Sequence, residues 1–193
     1  MKICVYGAAS SEIADKYIMA GEELGREIAQ RGHSLVFGGG KNGMMGAVAR
    51  GVAEKDGEIL GISPKFFEEN AAEIAFEGCT GFIHTETMRE RKKLLDEKSD
   101  AFIITPGGIG TLDEFFEILT LKQLGRHNKA IVIFNVDGYF DNMLKMLAIS
   151  IQQKFITASC VELFKITTNV SDTLDYLENY NPVALDINAV KIR

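Results

Sequence analysis

The chain has 193 residues, a quarter of them charged, and a formal net charge of −6. Such a balance is ordinary for a globular domain that buries a continuous core without disulfides, and it argues against a broad nucleic-acid surface. Cys4, Cys79 and Cys160 are odd in number and form no C-x-x-C pair, so reduced thiols are expected, with no disulfide framework or zinc site. No run approaches the ~18 apolar residues of a membrane span, and the first apolar run is short for a signal-peptide core. A cytoplasmic, membrane-free protein is the expectation.

In chain order, strands are predicted at 3–6, 34–37, 58–62, 101–105, 130–134 and 164–167. The first is followed by a helical stretch with Ile13, Tyr17, Ile18, Leu24 and Ile28 at three- to four-residue spacing. Further helices are predicted near 43–55, 87–98, 111–124, 139–153 and 170–180. Continuous apolar strands alternating with amphipathic helices imply an α/β fold: a doubly wound parallel sheet, Rossmann-like, with helices on both faces. Residues 1–193 read as a single domain without repeats or linkers. The stretch 64–86, with Pro64, Asn70, Gly78 and Gly81, reads as an irregular flap. The last dozen residues read as a tail or as a strand docked elsewhere.

In such a sheet, ligands bind beyond the carboxyl ends of the strands. Three glycine-bearing loops fall there: Gly7-Ala8-Ala9-Ser10-Ser11, Gly38-Gly39-Gly40-Lys41-Asn42-Gly43, and Pro106-Gly107-Gly108-Ile109-Gly110. The second is not a Walker A loop, because Asn42 stands where Ser or Thr would follow the lysine. The first is not a GxGxxG fingerprint, and no acid ends the second strand to hold a ribose. Each glycine loop taken singly could be a tight turn; three at one sheet edge favour ligand binding.

The third loop opens a helix, and backbone N–H groups at a helix start suit a phosphate. Yet Asp113 and Glu114 follow at once, and carboxylates repel an anion. Thr111-Leu112-Asp113-Glu114 fits a capping box, in which Thr111 bonds the N–H of Glu114 and Glu114 reaches back to Thr111. The same glutamate, lining a glycine cleft, could stabilise developing positive charge on a sugar or handle a proton. Both options remain open on pattern alone. Met88-Arg89-Glu90-Arg91-Lys92 has the same ambiguity: a solvated charged face, or one forked guanidinium, Arg91, aimed at the glycine edge. His33, His84 and His127 show no ligand spacing.

Three segments in this order, Phe37 through Gly46, Met88 through Lys92 and Pro106 through Glu114, resemble the Lonely Guy (LOG) family. Its signatures are a GGGxxGLMG-like loop, an MxxRK segment and PGGxGTxxE; the likeness continues through Leu124-Gly125 and 135–139. The resemblance implies a phosphoribohydrolase that cleaves the N-glycosidic bond of adenosine-type nucleoside 5′-monophosphates, releasing base and ribose 5-phosphate without metal or cofactor. Members were formerly labelled lysine decarboxylases, and no pyridoxal-phosphate lysine pattern supports that label here.

Carried over by motif, Arg91 and Glu114 match the catalytic pair, and Gly107, Gly108, Gly110 and Thr111 match the phosphate loop. Glu73, Met88, Lys92, Asp113 and Thr120, with Gly39 and Gly40 of the second loop, match substrate-contacting positions. The chain departs at Asp113, where Glu is common, and at Ala8-Ala9, where Gly-Ser is frequent. The expected mechanism places phosphate on the N–H groups of 107–111 and Glu114 at the ribose, with Arg91 fixing the substrate and keeping Glu114 ionised. A homodimer is also implied. The rivals are a non-catalytic nucleotide-binding or sensing protein, and a hydrolase of other nucleoside monophosphates.

Overall fold

A computed structural model describes residues 1–69 and 74–182. The elements are β1 (Lys2–Tyr6), α1 (Asp15–Gln30), β2 (Ser34–Phe37), α2 (Gly43–Ala53), β3 (Ile59–Pro64), α3 (Lys65–Glu69) and β4 (Gly81–Thr85). They continue with α4 (Met88–Glu97), β5 (Ala101–Ile104), α5 (Ile109–Gln123), β6 (Ala130–Phe134), α6 (Asp141–Gln152), β7 (Lys165–Thr167) and α7 (Val170–Glu178). Short 3-10 turns lie at Val136–Gly138 and Ala158–Leu163.

The seven strands form one parallel sheet in the order β4-β3-β2-β1-β5-β6-β7. Side chains alternate across each strand, and that alternation divides the core in two. Ile3, Val5, Leu35, Phe37 and Ile103 face one layer with Leu24 and Ile28 of α1, Met44 and Val48 of α2, and Leu174 of α7. Cys4, Tyr6, Val36, Phe102 and Ile104 face the other, with Leu95 of α4, Phe115 and Ile118 of α5, and Leu147 of α6. Phe37, Phe102 and Phe115 are among the largest fully buried side chains. Burial of a side chain of that kind contributes roughly 1.5–3 kcal/mol. The doubly wound fold expected from the sequence is what forms.

All six predicted strands are present. The seventh, β4, lies in the stretch read as an irregular flap. It is an edge strand whose residues are only partly covered, so it lacks the continuous apolar run of a buried parallel strand. Part of that stretch does lie over the glycine edge. Phe76 N–H donates to Gly39 O at 2.8 Å, and Lys41 N–H donates to Ile74 O at 2.9 Å. Glu73 and residues 183–193 lie outside the described residues.

The order of the strands places the site. Connections from β1 run outward toward β4, and those from β5 run outward toward β7, so the loops after β1 and β5 part at the sheet centre. A crevice opens where strand order reverses, and the loop after β2 borders it.

Candidate active site

The crevice floor is stitched across β1 and β5. Thr105 donates both its N–H, at 2.8 Å, and its hydroxyl, at 2.9 Å, to Tyr6 O. Ala8 N–H donates to Pro106 O at 3.0 Å, and Met45 N–H to Ala8 O at 3.2 Å, which ties all three glycine loops together.

Helix α5 starts at Ile109, with Gly108 as its N-cap. The expected capping box at Thr111–Glu114 is therefore corrected: Thr111 is already inside the helix, buried, and Glu114 reaches elsewhere. A glycine cap has no side chain to bond the first turn. The N–H groups of Gly108, Ile109, Gly110 and Thr111 accordingly find no acceptor among the described residues. Gly107 is fixed by packing, since a Cβ there would lie 2.1 Å from Thr111 Oγ1. Around Gly108 and Gly110 a Cβ would meet nothing within 4 Å, and neither has a positive φ. The fold does not require glycine at these two positions. What they provide is open space in front of unpaired donors.

A side-chain N-cap does form, at α4, with the return bond of Glu90 shifted to the residue before the cap. The Thr87 hydroxyl accepts from Glu90 N–H at 3.1 Å, and Glu90 Oε2 accepts from Glu86 N–H at 2.9 Å. This fixes the first turn that carries Met88 and, one turn on, Arg91. Arg91 is buried. Its Nε donates to Ile62 O at 3.1 Å and its Nη1 to Glu114 Oε1 at 2.9 Å. Its Nη2 presses on Gly38, where a Cβ would sit 2.1 Å away. One guanidinium thus touches β3, the loop after β2, and α5.

Glu114 is 8% exposed. Its Oε2 accepts no hydrogen bond among the described residues. Burial pushes its carboxyl up to about 7, and the charge and hydrogen bond of Arg91 pull the other way without prevailing. The expectation that Arg91 holds Glu114 ionised meets an opposing effect: burial outweighs the arginine and raises the carboxyl above its usual range. Behind it lies a pocket of about 170 Å³ lined by Tyr6, Lys92, Asp96, Glu114, Glu117 and Ile118, among others.

The remaining expected site residues divide into two groups. Lys92 faces α5, where its ammonium pairs with Asp113 Oδ2 at 3.0 Å and also with Glu117, so it braces the two helices beside the Arg91–Glu114 pair. Gly39 borders the crevice in a left-handed conformation (φ +90°), and Gly40 bridges to Ala75. Thr120 is not brought to this place. It is exposed, six residues further along α5, and lines a separate apolar pocket with Phe116, Cys160 and Phe164. Sequence reasoning placed Gly38 in a ligand loop and Tyr139 in a family-like segment without giving either a role, and gave Tyr6 no role beyond the first strand. The hydroxyl of Tyr139, after β6, donates to Gly107 O at 2.7 Å. Its place after a strand's carboxyl end was the available signal.

The family model described as "Possible lysine decarboxylase" matches residues 45–177, which span Arg91, Glu114 and the glycine turn. Two Arabidopsis thaliana proteins named cytokinin riboside 5′-monophosphate phosphoribohydrolase are 36% identical over 182 residues and 34% identical over 181. Each alignment covers 94% of this chain, and 79% and 84% of the respective relative. The chain belongs to the LOG family. A molybdenum cofactor carrier protein from Chlamydomonas reinhardtii shares the fold, with a TM-score of 0.68 at 19% identity over 92% of this chain and 95% of that one. A molybdenum cofactor binding protein from Rippkaea orientalis matches likewise, at 0.68 and 20% over 92% and 94%. In this LOG chain the MxxRK and PGGxGTxxE segments are far apart in sequence. The Arg91–Glu114 contact joins them across the sheet edge.

Proposed function

We propose that this protein hydrolyses the N-glycosidic bond of adenosine-type nucleoside 5′-monophosphates, plain or N6-substituted, to give the free base and ribose 5-phosphate. The observation that carries this is the buried Arg91–Glu114 pair beside four unpaired N–H groups and two glycines that leave room for a ligand. The names of the relatives support the same chemistry.

The substrate phosphate sits on the N–H groups of residues 108–111, at the positive end of α5. That seat holds the ribose over Glu114. As the glycosidic C–N bond breaks, its electron pair leaves with the base, which takes a proton at nitrogen from solvent, balanced by the proton Glu114 later returns to solvent. Positive charge develops on the sugar, and the ionised carboxylate of Glu114 stabilises it. Water then bonds to the sugar carbon and gives a proton to Glu114 Oε2, the oxygen not held by Arg91. Arg91 orients Glu114 through a charge-assisted bond of about 1.5–3 kcal/mol. Lys92 and Asp113 flank this pair, Met88 opens the helix that carries Arg91, and Gly39 and Gly40 wall the cleft. No metal or cofactor enters the scheme.

The continuous sheet supports treating the whole chain as one domain. No described helix is long and apolar enough to cross a membrane. We place it as a homodimer active in cytokinin formation; light scattering tests the first part. The decisive experiment is incubation with AMP and with N6-substituted analogues, followed by chromatography. Free base is expected from wild type and none from Glu114→Gln. Nucleotide binding without any base release would instead establish the non-catalytic reading.

A further inference from the structure

Given the phosphate seat proposed above, we infer that Tyr139 is a positioning residue for it, acting through the Gly107–Gly108 peptide. The carbonyl of Gly107 and the N–H of Gly108 belong to one planar trans unit, so they point in opposite directions. The Tyr139 hydroxyl holds that carbonyl at 2.7 Å. It thereby turns the Gly108 N–H, the first donor of the seat, toward the open side of the turn. Among the described residues no other hydrogen bond reaches the Gly107 carbonyl or the Gly108 N–H, and Gly108 has no neighbour near its Cβ position. A Gly-Gly peptide left free samples many orientations.

The segment bearing Tyr139 is built to hold it. Asp137 and Gly138 both take left-handed conformations, at φ +51° and +69°. In a non-glycine residue that is a strained state, and it persists only where the surroundings over-determine it. Asp137 is held by an ion pair with Lys16 of α1. Asn135 accepts from Phe140 N–H at 2.7 Å and donates to Asp141 Oδ1 at 2.8 Å, which closes the turn from within. The Tyr139 ring meets Tyr17 of α1 edge-on at 5.9 Å and Phe140 at 5.0 Å. The ring is packed on two sides while its hydroxyl is aimed at the glycine turn.

Tyr139→Phe tests this, because it keeps the ring contacts and removes only the hydroxyl. Affinity for ribose 5-phosphate, measured by calorimetry, is expected to fall about three- to tenfold, the loss of one hydrogen bond's net contribution. The KM for AMP rises by a similar factor with little change in kcat, while inhibition by adenosine, which lacks the phosphate, stays constant. Equal weakening of ribose 5-phosphate and adenosine, or unchanged ribose 5-phosphate affinity, overturns the inference. A wild type that binds ribose 5-phosphate without releasing base refutes the hydrolase assignment and still leaves the Tyr139 comparison decisive. A wild type that releases base from AMP yet binds no ribose 5-phosphate overturns the Tyr139 inference and leaves the hydrolase assignment standing.

Discussion

Arg91 Nη1 and Glu114 Oε1 lie 2.9 Å apart, both side chains buried, at the point where α4 and α5 meet the carboxyl edge of the sheet. The pair joins two segments 23 residues apart, and within it Arg91 opposes the rise that burial gives the acid. Most testable consequences follow from it.

The first concerns pH and rate. With Glu114 raised to about 7, its ionised fraction climbs through neutrality. Since the mechanism uses the carboxylate, kcat/KM for base release rises with pH and levels above about 8. A flat profile from pH 5 to 8 contradicts the assigned role.

Stability moves the opposite way. The folded-state pKa lies above the usual carboxyl value, so between about pH 4.5 and 7 the native protein holds a proton that the unfolded chain has released. Unfolding free energy from this group therefore decreases as pH rises through that window, by up to about 3 kcal/mol, and is constant above it. Melting curves of wild type and Glu114→Gln taken from pH 4 to 8 should diverge over this interval and run parallel beyond it.

Arg91→Ala removes the one group pulling the Glu114 pKa down by both charge and hydrogen bond. The pKa then climbs further, and the rising limb of the rate profile shifts to higher pH. Breaking a buried pair also costs roughly 3–5 kcal/mol, less here because Glu114 can neutralise itself. A pH–rate profile that keeps its midpoint in the variant counts against the electrostatic assignment.

Glycine substitutions separate fold from function. Gly38→Ala would force its Cβ to 2.1 Å from Arg91 Nη2, so Arg91 moves and activity collapses. Gly108→Ala and Gly110→Ala meet nothing within 4 Å, so their melting temperatures stay close to wild type. The added methyl instead occupies the phosphate seat and raises the KM for AMP at least tenfold. Calorimetric melting together with steady-state kinetics on the three variants checks both halves.

Thr87→Ala removes the N-cap of α4 and should cost about 1 kcal/mol in denaturant unfolding. Glu114 keeps its partner, so the pH–rate midpoint remains in place.

Much of this was readable in the sequence, for physical reasons. Strands buried on both faces show as continuous apolar runs, and glycine loops at their ends mark the ligand edge. β4 escaped because an edge strand is half covered and carries a mixed pattern. The start of α5 was misplaced because Thr111-x-x-Glu114 satisfies a local capping rule, whereas the glutamate is claimed by an arginine on another helix. Its raised pKa was hidden for a related reason, since desolvation depends on what the fold packs around a group. The role of Tyr139 was missed because its partner is a backbone carbonyl 32 residues earlier, which no side-chain pattern announces.

The double donation from Thr105 to Tyr6 O has one more effect. It locks the two central strands together at the very base of the crevice, so the floor cannot spread to admit a substrate. Any widening must come from the rim, where residues 74–76 are laid over Gly39 and Lys41 by two backbone bonds and anchored by the Phe76 ring edge-on to Phe37. That rim lies on the side of β2, where the neighbouring Gly38 also packs on Arg91.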